Sequence, residues 1–152
     1  MIFVECNTEE TLAKQFGFGK KEIIHSGSGG KSKVCKRLEK AVKSKALVDE
    51  EYPTANKPPY QTKLVQIDNK HNIKVLYDKK KQNRLIMLCP RFEEWILEAA
   101  KVAGVKMENY GLPDDADKLH NIINFKLPAL ERLITDIKPT VMLKTLHEFL
   151  RK

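Results

Sequence analysis

The feature that most constrains this chain is an alternation of short apolar runs and amphipathic stretches within its first 50 residues. Apolar runs occur in MIFVEC, in KEIIHS and in ALV at 46–48. Between them, apolar residues recur at helical spacing from Thr8 to Phe16 and again from Lys31 to Ser44. Strand–helix–strand alternation of this kind requires right-handed crossovers, so the pattern predicts a parallel sheet covered by helices.

Polar residues follow each of the three predicted strands. Parallel strands point the same way, so Glu5, the glycine-rich loop and Asp49 should lie at one edge of the sheet, where α/β proteins bind ligands. Asp49 and Glu51 should project to similar sides if the strand geometry continues, with Glu50 pointing away. Carboxylate oxygens are the ligands that Mg²⁺ prefers, so this edge predicts a metal site. The alternative is that these residues cap helices or face solvent in turns.

A further carboxylate, Glu93, follows a predicted strand at 84–89 and lies in the first turn of a predicted helix, RFEEWILEAAKVAG. It could join the same edge as a ligand of a metal or of water. The simpler interpretation is that Glu93 supplies favourable charge at a helix N-terminus.

The loop after the second strand, in IIHSGSGGKSKV at 23–34, resembles a nucleotide-binding P-loop but lacks its first glycine, because His25 stands there. A glycine turn that enters a basic helix still suits a phosphate of a nucleic acid, through backbone N–H groups and the helix dipole. The alternative is a flexible turn. The predicted phosphate-binding residues are Gly27, Gly29, Gly30, Lys31, Ser32, Lys33 and Arg37.

Charge is distributed unevenly in this chain of 152 residues with net charge +8. Residues 90–152 carry ten basic and ten acidic residues, whereas residues 1–89 carry eighteen basic and ten acidic ones. An excess confined to one part suggests a surface that faces a polyanion, with a solubilising lysine surface as the alternative. Three cysteines without a CxxC pair, an acidic start and no membrane-spanning apolar run indicate a cytoplasmic protein.

The rest of the chain divides into a loop, two strands and several helices. Residues 52–69 contain three prolines and no clear period, which predicts a long loop. Strands are predicted at 73–77 and 84–89. After Pro90 the pattern is helical, with the later helices near 115–124, 127–136 and 139–150.

Three blocks of the first third of the chain resemble the Toprim domain of topoisomerases, primases and small nucleases. The blocks are VECNTEETL, IIHSGSGGKSKVCKRLEKA and ALVDEEY. That family places a glutamate after strand one, usually followed by glycine, a glycine-bearing turn after strand two and Asp-x-Asp after strand three. Here Cys6 replaces the glycine and Glu51 replaces the second aspartate. The block CPRFEEWILEA is similar to Toprim-like proteins of prokaryotic mobile-element and defence systems.

The resemblance implies a fold, a chemistry and roles for matching residues. The fold class is α/β: a Rossmann-like three-layer parallel-sheet core at 1–89, with a helical C-terminal extension at 90–152 packed on it as one compact domain. Glu5 would be the general acid/base, and Asp49 and Glu51 would hold Mg²⁺ or Mn²⁺. The implied function is metal-dependent nuclease chemistry on DNA or RNA. The alternative is a catalytically inactive nucleic-acid-binding or interaction protein, with the C-terminal helices as a surface for a protein partner or a homo-oligomer.

Overall fold

The computed structural model describes residues 1–27, 29–52 and 57–152, which contain one six-stranded sheet with the order β2-β1-β3-β6-β5-β4. The strands are β1 (Ile2–Val4), β2 (Ile23–His25), β3 (Lys45–Asp49), β4 (Val65–Lys70), β5 (Ile73–Asp78) and β6 (Asn83–Leu88). Strands β2, β1, β3 and β6 are parallel, whereas β5 runs antiparallel to β6 and β4 antiparallel to β5. The predicted α/β class with a mostly parallel sheet is confirmed.

Seven α-helices and two 3₁₀ turns, at 107–110 and 123–125, accompany the sheet in the described residues. The helices are α1 (Asn7–Gln15), α2 (Gly30–Glu39), α3 (Pro59–Thr62), α4 (Phe92–Ala103), α5 (Ala116–Ile122), α6 (Leu127–Ile137) and α7 (Val141–Arg151). The helical C-terminal part is therefore also confirmed. None of the described helices combines the length and the apolar content needed to span a bilayer.

Helices cover both faces of the sheet, which explains why the central strands are continuously apolar. On one face, Val34 and Leu38 of α2 and Tyr60 of α3 pack with Ala46 and Val48 of β3. On the other face, α1 and the helices after residue 90 share one core, in which Leu12, Trp95, Leu130 and Leu146 are buried together with Leu47. The result is three layers, with the whole helical C-terminal part on the α1 side.

The sequence-based prediction differs from the structure in the segment 52–69. Residues 53–56 of the predicted loop lie outside the described residues, as does Ser28 of the glycine loop. The remainder is not only loop, because it contains α3 and the edge strand β4. Strand β4 is polar and largely exposed, so its sequence, VQIDNK, has no apolar run to predict it.

Two helix boundaries also differ from expectation. Helix α1 spans Asn7–Gln15 rather than Thr8 to Phe16, with Cys6 at its N-cap and no capping side-chain hydrogen bond. Helix α2 ends at Glu39 instead of near Ser44, because the buried Asn83 side chain donates to the carbonyls of Leu38 and Ala41.

The connections reverse direction next to β1, and this reversal positions the candidate site. The chain leaves β1 through α1 toward β2, and it returns through α2 on the opposite face to β3. Since β1 lies between β2 and β3, the carboxyl ends of β1 and β3 flank a topological switch point, where open α/β sheets bind ligands. Glu5 follows β1 there, and Asp49 ends β3.

Candidate metal centre

Four carboxylates meet at this switch point. Glu5 follows β1, Glu9 lies in the first turn of α1, Asp49 ends β3, and Glu93 lies in the first turn of α4. The charges of Glu5, Glu9 and Glu93 all act on Asp49. Helices α1 and α4 both point their N-termini at this edge, so their dipoles partly offset the accumulated negative charge.

Two of these carboxylates are buried with an oxygen that has no partner. Glu9 is fully buried, and its Oε2 accepts a hydrogen bond of 2.6 Å from the hydroxyl of Thr8. Its Oε1 and the Oε2 of the buried Glu93 have no hydrogen-bond partner among the described residues. Buried polar atoms in proteins are nearly always paired, so two orphaned carboxylate oxygens in one cluster indicate a binding site.

The closest grouping of potential ligand atoms joins Glu5, Cys6 and Glu9, whose atoms lie within 4.8 Å of one another. Cys6 is exposed as a residue, yet desolvation of its sulfur and the negative charges of Glu9 and Glu5 raise the pKa of its thiol. A protonated thiol is a poor metal ligand. The donors that this grouping offers at neutral pH are therefore carboxylate oxygens.

Glu5, Glu9 and Asp49 have raised pKa values, and burial is the first cause for each of the three. Burial and then the charge of Glu51 raise the pKa of Glu5 to about 6, although Lys31 lowers it. The pKa of Asp49 is raised by burial and by the charges of Glu9, Glu93 and Glu5. The pKa of Glu9 is raised by burial, against the hydrogen bond from Thr8. Without a cation, the cluster therefore resists ionisation.

Hydrogen bonds fix the orientation of two members. Asp49 Oδ1 accepts a hydrogen bond of 2.9 Å from the backbone N–H of Phe92 and so caps the start of α4. Glu93 Oε1 lies 2.6 Å from His120 Nδ1 of α5. The side chain of His120 is 62% exposed, whereas that of Glu93 is 5% exposed, so the pair connects the buried cluster to solvent.

The donor set fits a hard divalent cation. Mg²⁺ and Mn²⁺ take carboxylate oxygens, and a divalent charge neutralises part of the cluster. Glu9, Asp49 and Glu93 would supply these oxygens, with Glu5 adjacent to Glu9. Of the sequence-predicted residues, Glu5, Asp49 and Glu93 come together here. Glu51 does not continue the strand, because β3 ends at Asp49 and Glu51 is exposed with φ +67°, yet its charge still acts on Glu5.

Basic groups border the cluster on the α2 side. Lys31, in the first turn of α2, is 6% exposed, and its Nζ donates a hydrogen bond of 2.9 Å to the carbonyl of Glu50. Lys31 therefore turns inward, while Ser32 is exposed and Lys33 and Arg37 are half-buried. Gly29 is the N-cap with φ +117°, and the first turn of α2 contains no acidic residue.

The glycine turn has a defined shape in its described residues. Gly27 and Gly30 have φ of +67° and +64°, a region that side chains other than glycine rarely adopt. The Gly27 N–H donates to Nδ1 of His25 at 3.0 Å. A β-carbon at Gly29 would lie 2.9 Å from Cδ of Lys33. The glycines thus have a conformational reason to be present, and a role in phosphate binding stays a prediction.

Sequence reasoning missed two members of this site. Glu9 lies within a predicted helix rather than directly after a predicted strand, and His120 has no neighbouring residue at metal-ligand spacing, so neither belongs to the predicted site. The available signal for Glu9 was its position four residues after Glu5, across a strand-to-helix junction. Nothing in the local sequence of α5 predicts the contact between His120 and Glu93.

No family model, curated protein or solved structure matches this chain. The resemblance to the Toprim domain therefore stays a prediction from the motifs of residues 1–52, and function is argued from the site alone.

Proposed function

We propose that this protein carries out metal-dependent phosphodiester chemistry on nucleic acid, as a nuclease of Toprim-like type. The observation that carries the proposal is the cluster of Glu5, Glu9, Asp49 and Glu93, with unpaired buried oxygens on Glu9 and Glu93. A protein that only needed to fold would gain stability by replacing such carboxylates, because like charges in a buried site oppose ionisation.

The residues divide into two roles under this proposal. Asp49, Glu9 and Glu93 hold Mg²⁺ or Mn²⁺, with Glu51 at the exposed rim beside Glu5. The bound cation would neutralise charge on a phosphodiester and on the leaving oxygen. Glu5, whose pKa is raised to about 6, suits proton transfer near neutral pH.

Nucleic acid is the proposed substrate because Lys31 lies beside Glu5 and the part of the chain that forms most of the site is basic. The excess of positive charge lies in residues 1–89, which also supply β1, β3 and α2 of the site. The first turn of α2 offers backbone N–H groups without competing acidic side chains. Gly27, Gly29, Gly30, Ser32, Lys33 and Arg37 remain the proposed phosphate contacts. A cytoplasmic location, supported by three free cysteines, and a protein partner at the C-terminal helices belong to the same proposal.

A second candidate is a nucleic-acid-binding protein of this fold without catalysis. The capping hydrogen bond from the N–H of Phe92 to Asp49 favours it, because a structural task alone could retain this aspartate. The exposed position of Glu51 also favours this candidate. Glu51 stands where the Asp-x-Asp pattern has its second aspartate, and it lies beyond the end of β3.

The test is a calorimetric titration of Mn²⁺ and Mg²⁺ into the wild type, Asp49→Asn and Glu93→Gln. We expect saturable binding by the wild type and at least about a tenfold weaker affinity in each variant, because each removes one charged ligand. An asparagine keeps an oxygen that can accept from the N–H of Phe92, so Asp49→Asn should preserve the cap. Asp114→Asn and Glu98→Gln are matched controls, since both residues are exposed outside the cluster.

Cleavage of labelled DNA and RNA then separates the two candidates. Metal binding with cleavage that Glu5→Gln abolishes would support the enzyme. Metal-independent nucleic-acid binding without cleavage would support the second candidate. No metal binding by the folded wild type, with an oligonucleotide present to complete the coordination sphere, would exclude the proposed metal centre.

A further inference from the structure

A pocket lies near the acidic cluster, on the face of the sheet covered by α2 and α3. It has a volume of about 120 Å³, and its polar lining includes Lys31, Glu50, Lys57, Gln61 and Lys74. Lys31 also acts on Glu5 of the acidic cluster, so the pocket and the cluster are neighbours across the edge. The edge therefore carries carboxylates on the α1 side and lysines on the α2 side.

Glu50 holds two of the three lysines in place. Its backbone carbonyl accepts the hydrogen bond from Lys31 Nζ, and its carboxylate pairs with Lys74 Nζ. Lys57 is exposed at the opening. Because the pocket contains three lysines and one glutamate, it keeps an excess of positive charge after the pairing of Glu50 with Lys74. Such a site suits an anion.

Gln61 supplies an unpaired polar group in this pocket. It is 6% exposed, and its side-chain Oε1 has no hydrogen-bond partner among the described residues. An amide can offer this position as an acceptor or, when flipped, as a donor. Since buried polar atoms are rarely left unpaired, an amide rotated toward the pocket would gain a hydrogen-bond partner from a ligand bound there.

The pocket is small, and its size limits the ligand. A volume of about 120 Å³ corresponds to roughly four water molecules at about 30 Å³ each. That space suits the phosphorus and oxygens of one phosphate and is too small for a nucleoside. A hydroxyl of a phosphate ester or a phosphoryl oxygen could reach the amide of Gln61.

We propose that this pocket binds one phosphoryl group of the substrate, held by Lys31, Lys57 and the amide of Gln61, on the far side of Lys31 from the carboxylate cluster. The pocket would position a nucleic acid across the sheet edge, with one phosphate on the lysine side and another beside the carboxylates. That the phosphoryl group belongs to a nucleic acid rests on the proposed function, whereas phosphate binding in the pocket does not.

The first experiment titrates inorganic phosphate into ¹⁵N-labelled protein in EDTA, so that no divalent metal contributes. We expect the side-chain amide signals of Gln61 to shift saturably. Lys57→Ala should weaken the apparent affinity by roughly three- to tenfold, because it removes a charge-assisted hydrogen bond. Lys79→Ala removes the same charge from an exposed residue that does not line the pocket, and it should change the affinity less than about twofold.

A variant that is expected to bind phosphate more tightly guards the test against a loss of affinity caused by misfolding. Glu50→Gln removes the negative charge from the pocket, but it retains the backbone carbonyl that accepts from Lys31. We expect Glu50→Gln to bind phosphate roughly two- to fivefold more tightly. An unshifted Gln61 signal, or equal effects of Lys57→Ala and Lys79→Ala without tightening by Glu50→Gln, would overturn the proposal.

Short oligonucleotides titrated in EDTA distinguish the source of the phosphoryl group. The same Gln61 side-chain amide signals serve as the readout. A response only to 5′- or 3′-phosphorylated ends would assign the pocket to a terminal phosphate, and an equal response to hydroxyl-ended strands would assign it to the backbone. Failure of metal binding in the calorimetric test leaves the phosphate result unchanged. Conversely, metal binding without a shift of Gln61 refutes only the pocket.

Discussion

Among single residues, Asp49 caps a helix and also lies in the proposed metal site, two roles that the sequence presented as alternatives. Its Oδ1 accepts from the N–H of Phe92 and stabilises the start of α4. Three neighbouring carboxylates and burial raise its pKa, so an ionised Asp49 is costly without a cation. Helix capping and metal binding are therefore compatible at this residue, and only the second role requires a charge.

We expect Asp49→Asn to stabilise the metal-free protein at pH 8, by about 1–3 kcal/mol in the free energy of unfolding. The variant keeps an acceptor for the N–H of Phe92 and removes the unfavourable carboxylate. Near pH 4, where the carboxyl group is neutral in the folded wild type, the difference should shrink to about 0.5 kcal/mol or less. Urea unfolding in EDTA at both pH values measures it.

The control for this prediction is Asp114→Asn, at an exposed position outside the cluster. It should leave stability within about 0.5 kcal/mol of the wild type at both pH values. A loss of stability in Asp49→Asn at pH 8 would contradict the electrostatic interpretation of the cluster.

At the scale of elements, Asn83 at the start of β6 connects three segments on the face opposite α1. The residue is fully buried, and its Nδ2 donates to the carbonyls of Leu38 and Ala41 and to the hydroxyl of Tyr60. Its Oδ1 accepts from the N–H of Ser44 at 3.0 Å. The Asn83 side chain thus forms hydrogen bonds with the end of α2, with the residue before β3 and with α3.

Replacement of Asn83 by leucine should cost about 2–4 kcal/mol in the free energy of unfolding. The change leaves the carbonyls of Leu38 and Ala41 and the N–H of Ser44 without their partner inside the protein. Denaturant unfolding at pH 7 measures the loss. Asn69→Leu is the matched control, since Asn69 is exposed on β4 and should change stability by no more than about 0.5 kcal/mol. Similar losses in the two variants would contradict this role.

At the scale of the whole molecule, opposite charges are separated across one edge of the sheet. The α1 and α4 side carries the carboxylates, and the α2 side carries Lys31 and Lys74. Because burial raises the pKa values of Glu5, Glu9 and Asp49, the stability of the metal-free protein should depend on pH.

The direction of this dependence follows from proton binding. Glu5 has a folded pKa of about 6 against an ordinary value of 4.5, so the folded state binds more protons between these values. The free energy of unfolding should therefore fall as pH rises from about 4.5 through 6, by on the order of 2 kcal/mol at most from Glu5. Asp49 and Glu9, whose pKa values are also raised, extend the loss to higher pH.

Urea unfolding in EDTA between pH 4.5 and 8 measures this dependence. Adding Mn²⁺ at pH 8 should recover about 2.7 kcal/mol when its concentration is a hundred times the dissociation constant. A stability that rises with pH across this range in EDTA would contradict the predicted direction.

The local sequence was sufficient to predict most elements and part of the site. Apolar runs and helical spacing are properties of neighbouring residues, so they predict the strands and helices of the first 50 residues and the helices after Pro90. The position directly after a buried strand is also local. For that reason Glu5, Asp49 and Glu93 could be assigned to one edge before the structure was known.

Other features were decided only by tertiary structure. Glu9 is buried because α1 docks with that face inward, and His120 reaches Glu93 from an exposed position because α5 packs beside α4. Helix rotation and position depend on packing across the whole core. Strand β4 exists because β5 offers it a pairing edge, although its own residues are mostly polar and exposed. Asn83 lies in a segment that resembles a solvated turn, yet it is buried by elements distant in sequence.

Local patterns in the sequence thus specify the order of the elements and place Glu5, Asp49 and Glu93 at or after strand ends. Packing between elements brings Glu9 to the other carboxylates and puts the lysines on the opposite side of the edge. The difference follows from the range of the interactions. Hydrophobic periodicity acts within one element, whereas the pKa shifts, orphaned oxygens and paired lysines arise where separate elements pack together.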